Sequence, residues 1–144
     1  MPKLSLAKAN KIIRDALKKG RDSDMQPLTV AVLDAGGHLV SMQREDGSSV
    51  LRPQRAQGKA FGCIAVGKGS RWLDAQAQTR PHFLEGLSNV SGGNIVPVPG
   101  GVLIRSKSGE ILGAVGITGD TSENDEIAAV AGIEAALLIA DTGA

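Results

Sequence analysis

Residues 28–43, LTVAVLDAGGHLVSMQ, decide the fold. Leu28 to Asp34 is a β-branched, apolar run and Leu39 to Gln43 is a shorter, mixed one. Between them DAGGH (34–38) sets Gly36 and Gly37 where a tight reversal needs positive φ. The stretch predicts an antiparallel hairpin. A second one is predicted where Val102–Arg105 passes through SKSGE into Ile111–Thr118. Both lead into helical segments, so the chain is expected to set helices against a sheet.

Before the first hairpin, Leu6, Ala9, Ile13, Ala16 and Leu17 recur at the spacing of one helical face, with Lys and Arg opposite. Ser5 can cap that helix and Gly20 suits its end. Between the hairpins, Leu51–Val66 and Arg71–Gln78 are predicted helical, and Pro81 is expected to break the chain. Leu87–Gly101 is rich in Gly and Pro, the composition of a binding loop. Thr121 and Ser122 offer caps for a last helix, with Glu123, Asp125 and Glu126 at its positive end. From Ile127 to Ala140 only Glu134 interrupts the apolar run. A helix without a polar stripe must be buried on more than one side, so the sequence predicts cover by the sheet and by another helix or subunit. A homo-oligomer joined through this helix is the expectation.

At 144 residues and 42% apolar content the chain is expected to form one domain, 1–144. Sixteen Lys and Arg against fifteen Asp and Glu leave a net charge of +1, so no bulk field selects nucleic acid or acidic lipid. The charges are unevenly placed: residues 1–22 hold seven basic and two acidic side chains, and residues 110–144 seven acidic and no Lys or Arg. Phe61, Trp72 and Phe83 are the only aromatics, too few for a base-stacking surface, so no nucleic-acid partner is expected. No apolar run approaches 18 residues, so no membrane span is expected. Cys63 is the single cysteine, which rules out an intrachain disulfide. With no apolar leader at the start, a cytoplasmic protein is the expectation.

Few motifs carry chemistry. Gly62, four residues, then Gly67-Lys68-Gly69-Ser70 nearly spells a phosphate loop, but Gly69 stands where the magnesium-binding hydroxyl belongs. No GxGxxG, GxSxG or HExxH occurs. By two-residue alternation His38, Val40, Met42 and Arg44 would share one strand face, an apolar slot with a base or ligand at one end and a cation at the other. Equally, His38 can cap a turn and Arg44 can solvate an edge. His82 follows Pro81 in a predicted loop. Glu123 and Glu126 can face one cation from a helix start, or simply complement the helix dipole. Cys63 suits a small buried hydrophobe. Pro2, as a free N-terminal base after Met1 removal, has no support from the rest of the chain.

Several segments together resemble the GlcG/HbpS family, also called the heme-degrading-domain family, which includes the C-terminal domain of PduO-type proteins. They are TVAVLDAGGHLVSMQREDG (29–47), KAFGCIAVGKGS (59–70), VPGGVLIRSKSGEILGAVGITGDTSENDE (98–126) and AAVAGIEAAL (128–137). The resemblance implies an α/β (α+β) domain: a central antiparallel sheet of about five strands flanked by helices, profilin-like, and assembled into homo-oligomers. It singles out the DAGGH turn with His38, the strand end from Arg44 to Gly47, Lys59, the Gly100-Gly101 loop and the Asp125-Glu126 helix start.

Two functional expectations follow. In the first, the protein binds a small ligand, heme or a related tetrapyrrole, with His38 or His82 as axial ligand and Arg44 or Lys59 pairing with a propionate. In the second, it is an enzyme or enzyme accessory for a small carboxylate or carbonyl metabolite. His38 would then be the general acid or base, Arg44 or Lys59 the carboxylate anchor, and the Gly100-Gly101 loop the oxyanion donor. A scaffold oligomer without chemistry is the third expectation.

Overall fold

The computed structural model describes residues 3–144. The expectation about Pro2 lies outside them. α1 (Leu6–Asp22) starts where predicted, with Ser5 Oγ accepting the Lys8 N–H at 3.1 Å. Both hairpins form, β1 (Thr29–Asp34) with β2 (Leu39–Arg44), and β3 (Gly101–Arg105) with β4 (Ile111–Thr118). Between them lie α2 (Arg52–Val66), α3 (Ser70–Thr79) and α4 (Pro81–Val90). The chain ends with α5 (Ser122–Ala135) and β5 (Ile139–Asp141). All five strands join one antiparallel sheet in the order β2-β1-β4-β3-β5. Among the described residues no helix is long and apolar enough to cross a membrane.

Strand alternation sorts the core into two faces. Val30, Val32, Val102, Ile104, Val115 and Ile117 meet α1 and α5 on one side. Leu33, Leu103 and Ala114 meet Ala60 and Cys63 of α2 on the other. That second face is built for close approach. Ala31, Gly116 and Gly101 form a row of small residues across three strands, and α2 lies directly on it. A Cβ on Gly116 would overlap the Ala56 carbonyl, and one on Gly101 the Lys59 carbonyl. α3 and α4 pack through Leu73 and Leu84 against Ile95 and Phe61.

Three local expectations need correction. Pro81 does end α3, but it also starts α4: at the first helical position its missing N–H costs nothing. His82 is therefore on a helix, not in a loop. α5 stops at Ala135 rather than Ala140; Leu137 takes φ +62, and the chain turns back to pair β5 with β3. The apolar run thus divides between a helix and an edge strand. The inner face of α5 is covered by α1 of the same chain, so closely that a Cβ on Gly132 would meet the Ile12 carbonyl oxygen at 2.5 Å. Last, the register between β1 and β2 shifts at Val32/Leu33, leaving Val40 as an extra residue. Val40 packs with the α1 and α5 core, whereas Met42 lies within 3.8 Å of Gln57 on α2. The bulge breaks the proposed common face of His38, Val40, Met42 and Arg44.

Candidate functional site

The β1–β2 hairpin tip is organised by one carboxylate. Asp34 Oδ1 accepts the backbone N–H groups of Gly36 at 2.9 Å and His38 at 3.0 Å. Gly37, at φ +83, donates its N–H to the Asp34 carbonyl at 3.0 Å. The His38 backbone N–H, with that of Gly36, holds the Asp34 carboxyl below the usual carboxylate range. His38 Nδ1 lies 3.3 Å from the same Asp34 oxygen, and its side chain is 81% exposed. The Asp34 carboxylate thus stands beside Nδ1, and no hydrogen bond to another described residue occupies Nε2.

Two clefts flank this tip. One, of about 280 Å³, is lined by Asp34, Ala35, Gly36 and His38 of the hairpin, with Lys3, Leu4, Ile111 and Leu112. The other, of about 380 Å³, lies along α2. Gln54, Gln57, Gly58 and Phe61 form its helical wall at the spacing of one face. Leu33 and Gly37 close it on the hairpin side, and Gly93, Asn94 and Val96 on the loop side.

The structure separates the other predicted residues from this tip. Arg44 stands six residues along β2 from His38, about 20 Å away at ~3.3 Å per residue, and donates to the Ser48 carbonyl at 2.8 Å. No small carboxylate can touch both. Lys59 is fully buried: Nζ donates to Asp125 Oδ2 at 3.0 Å and to the Ile117 carbonyl at 2.9 Å. Burial lowers the Lys59 pKa and raises that of Asp125, and their mutual attraction opposes both shifts. Lys59 is thus held inside the core, away from any propionate or substrate carboxylate. Gly100 and Gly101 accommodate Lys59 and the α2 backbone, and the Gly101 N–H is taken by Ser70 Oγ at 2.8 Å, so it is no oxyanion donor. The enzyme reading is thereby left without Lys59 as its anchor and without the Gly101 N–H as an oxyanion donor.

His82 is exposed on α4 and lines neither cleft beside the tip. Glu126 forms a two-pronged pair with Arg71, at 3.0 and 3.1 Å, while Glu123 is exposed. Among the described residues no three His, Cys, Asp or Glu side chains converge as a metal site. Cys63 is buried and its thiol is pushed far up by burial, so it is inert. Sequence reasoning missed Lys3, Gln54, Gln57, Phe61 and Asn94. The helical spacing of 54, 57, 58 and 61 was the available signal, masked because amides and glycine read as an ordinary solvated face.

Comparison with known proteins places the chain in a family. The family described as haem degrading protein HbpS-like matches residues 4–134. The chain belongs to the HbpS-like family. A 15.0 kDa protein of the dhaT-dhaS intergenic region of Citrobacter freundii is 29% identical over 126 residues, 88% of this chain and 87% of that protein. Among solved structures, PduOC in its complex with heme superposes with a TM-score of 0.85 at 24% identity, covering 96% of this chain and 98% of that one. Streptomyces reticuli HbpS, as a double mutant, superposes with a TM-score of 0.80 at 23% identity, covering 93% and 87%. These two likenesses establish the HbpS-like fold as an open five-stranded sheet with helices on both faces.

Proposed function

We propose that this HbpS-like protein binds heme or a related tetrapyrrole at the tip of the β1–β2 hairpin, with His38 Nε2 as the axial donor. The observation that carries the reading is the exposed His38 imidazole with its Nδ1 turned to Asp34, the carboxylate–histidine pairing that orients metal-bound imidazoles and strengthens them as donors. Beside it, Leu4, Ile111 and Leu112 offer an apolar wall, and Lys3 a cation for a propionate. Membership of a family described as haem degrading and the fold shared with PduOC, whose structure is a heme complex, support the same ligand class. Heme bound there would bring its iron and redox chemistry; the chain's own part is to ligate, orient and partly cover it.

A cleft of about 280 Å³ covers only one side of a porphyrin. A second copy is the proposed cover for the rest. Leu6 (57% exposed), Ile127 (47%), Leu137 (74%) and Ile139 (48%) stand out of the chain on α1, α5 and the segment into β5. Self-association through them fits an apolar surface of this kind. Light scattering should find an oligomer that Leu137→Asn together with Ile139→Asn weakens.

Hemin titration tests the ligand reading. A saturable Soret band is expected, lost in His38→Ala and retained in His82→Ala. A band of unchanged position and affinity in His38→Ala refutes the axial assignment.

A further inference from the structure

The cleft along α2 is a separate site. Its position is fixed by backbone contacts at both ends. The Val96 N–H donates to the Gly58 carbonyl at 3.2 Å, and a Cβ on Gly58 would meet Val96 at 2.6 Å, so the loop is seated on the helix. At the other end a Cβ on Gly37 would lie 3.1 Å from the Phe61 ring, so the hairpin rests on that aromatic. A cavity held in this way is formed before any ligand arrives.

Its lining is unusual in one respect: none of the nine residues is charged. Polarity comes from three carboxamides, and two of them have a settled orientation. Gln57 Nε2 donates to the Pro53 carbonyl at 3.3 Å, and Asn94 Nδ2 to the Ser91 carbonyl at 2.7 Å. A carbonyl can only accept, so these contacts fix which end of each amide is nitrogen. The two amide oxygens are left as acceptors, with Gln54 able to serve as donor or acceptor. Leu33, Phe61 and Val96 supply apolar surface and one ring face.

We infer that this cleft binds an uncharged, planar heterocycle that presents N–H donors along one edge, the Gln57 and Asn94 amide oxygens accepting from it. A charged ring or a carboxylate finds no counter-charge here and would lose hydration without return. The ligand class is thus distinct from an anionic tetrapyrrole, and the inference does not depend on the heme reading.

Titration of the full chain with 2-aminopurine, which carries ring and amino N–H groups and is fluorescent, tests it. Saturable quenching is expected, with affinity about tenfold lower for purine, which lacks the amino donor, measured by competition. Asn94→Leu and Gln57→Leu should each weaken 2-aminopurine by about tenfold, while thermal melts confirm that both variants fold. His38→Ala should leave this binding unchanged even though it removes the Soret band. Absence of saturable quenching overturns the inference, as does binding equal in wild type and both amide variants, or binding that disappears with His38. If hemin binding fails while 2-aminopurine behaves as described, only the heme reading falls.

Discussion

Two acid–base pairs sit at opposite ends of the exposure scale. Lys59 and Asp125 meet at 3.0 Å with side chains 1% and 2% exposed, whereas Asp34 and His38 meet at 3.3 Å with side chains 41% and 81% exposed. The buried pair joins two elements distant in sequence, α2 and the start of α5, and its remaining polar contacts are all internal. The exposed pair is local, four residues apart, and leaves one ring nitrogen free. Charge in the first place is a matter of folding; the second pair faces solvent. Resemblance pointed at both Lys59 and His38 as site positions, and burial is what tells them apart.

The largest effect should come from breaking the buried pair on one side. Lys59→Met leaves the Asp125 carboxylate in the core with one hydrogen bond, from the Asp120 N–H at 3.0 Å. Loss of one partner of a buried pair costs about 3–5 kcal/mol, and replacing both by apolar residues is often close to neutral. Urea unfolding of Lys59→Met, Asp125→Leu and the double variant should therefore show the double variant more stable than either single one. A double variant as unstable as the sum of the singles would mean that the two groups act independently and that the pair has no structural meaning.

Next comes a contrast between glycines in the two regions. At Gly116 an added methyl overlaps the Ala56 backbone carbonyl, which cannot yield without moving α2 off the sheet. Overpacking of this kind costs about 1–3 kcal/mol. At Gly36 the added methyl crowds the His38 ring, 2.8 Å away, with Asp34 Oδ1 in ordinary contact at 3.4 Å, and an exposed ring can swing aside. Gly36→Ala should change stability by less than about 0.5 kcal/mol. Because it displaces the imidazole from Asp34, it should nonetheless weaken hemin binding. Equal destabilisation by both substitutions would contradict the distinction between a packed face and a free tip.

How much of this was legible in the sequence follows from the range of the interactions. α1, α2 and both hairpins could be read because caps, 3.6-residue periodicity and glycine-bearing turns are local signals. α4 was hidden because Pro81 marks a start as readily as a stop. The end of α5 was hidden because Leu137 takes φ +62 without being Gly, so nothing in the apolar residues that follow Glu134 announced the turn into β5. The bulge at Val40 has no sequence mark of its own, yet one extra residue was enough to divide a supposed functional face between the two sides of the sheet. Lys59 could not be assigned at all without structure, since its partner lies 66 residues away. The place of His38 at a tight turn could be read, because DAGGH (34–38) is a local signal of five consecutive residues.

The smallest effect is the pH dependence of the hairpin tip, and its sign separates the two carboxylates. Asp34 has its folded-state pKa lowered by backbone N–H donors. Its contribution to stability is therefore fully present above the ordinary carboxylate value of about 4 and is lost as pH falls through the lower, folded value. Asp125 has its folded-state pKa raised by burial, so its unfavourable contribution is relieved as pH falls through that higher value. In Asp34→Asn the side-chain oxygen can still accept from Gly36 and His38, but it no longer titrates. The stability advantage of wild type over Asp34→Asn, measured from pH 6 down to pH 2, should hold steady above about pH 4 and shrink below it. Asp120, whose carboxylate is likewise held low by the Gln26 N–H, titrates in both proteins and cancels in the difference. A gap that widens on acidification would mean that the carboxylate strains the turn instead of supporting it. In that case His38 would be held at the tip by the glycine backbone alone, and Asp34→Asn should bind hemin as tightly as wild type.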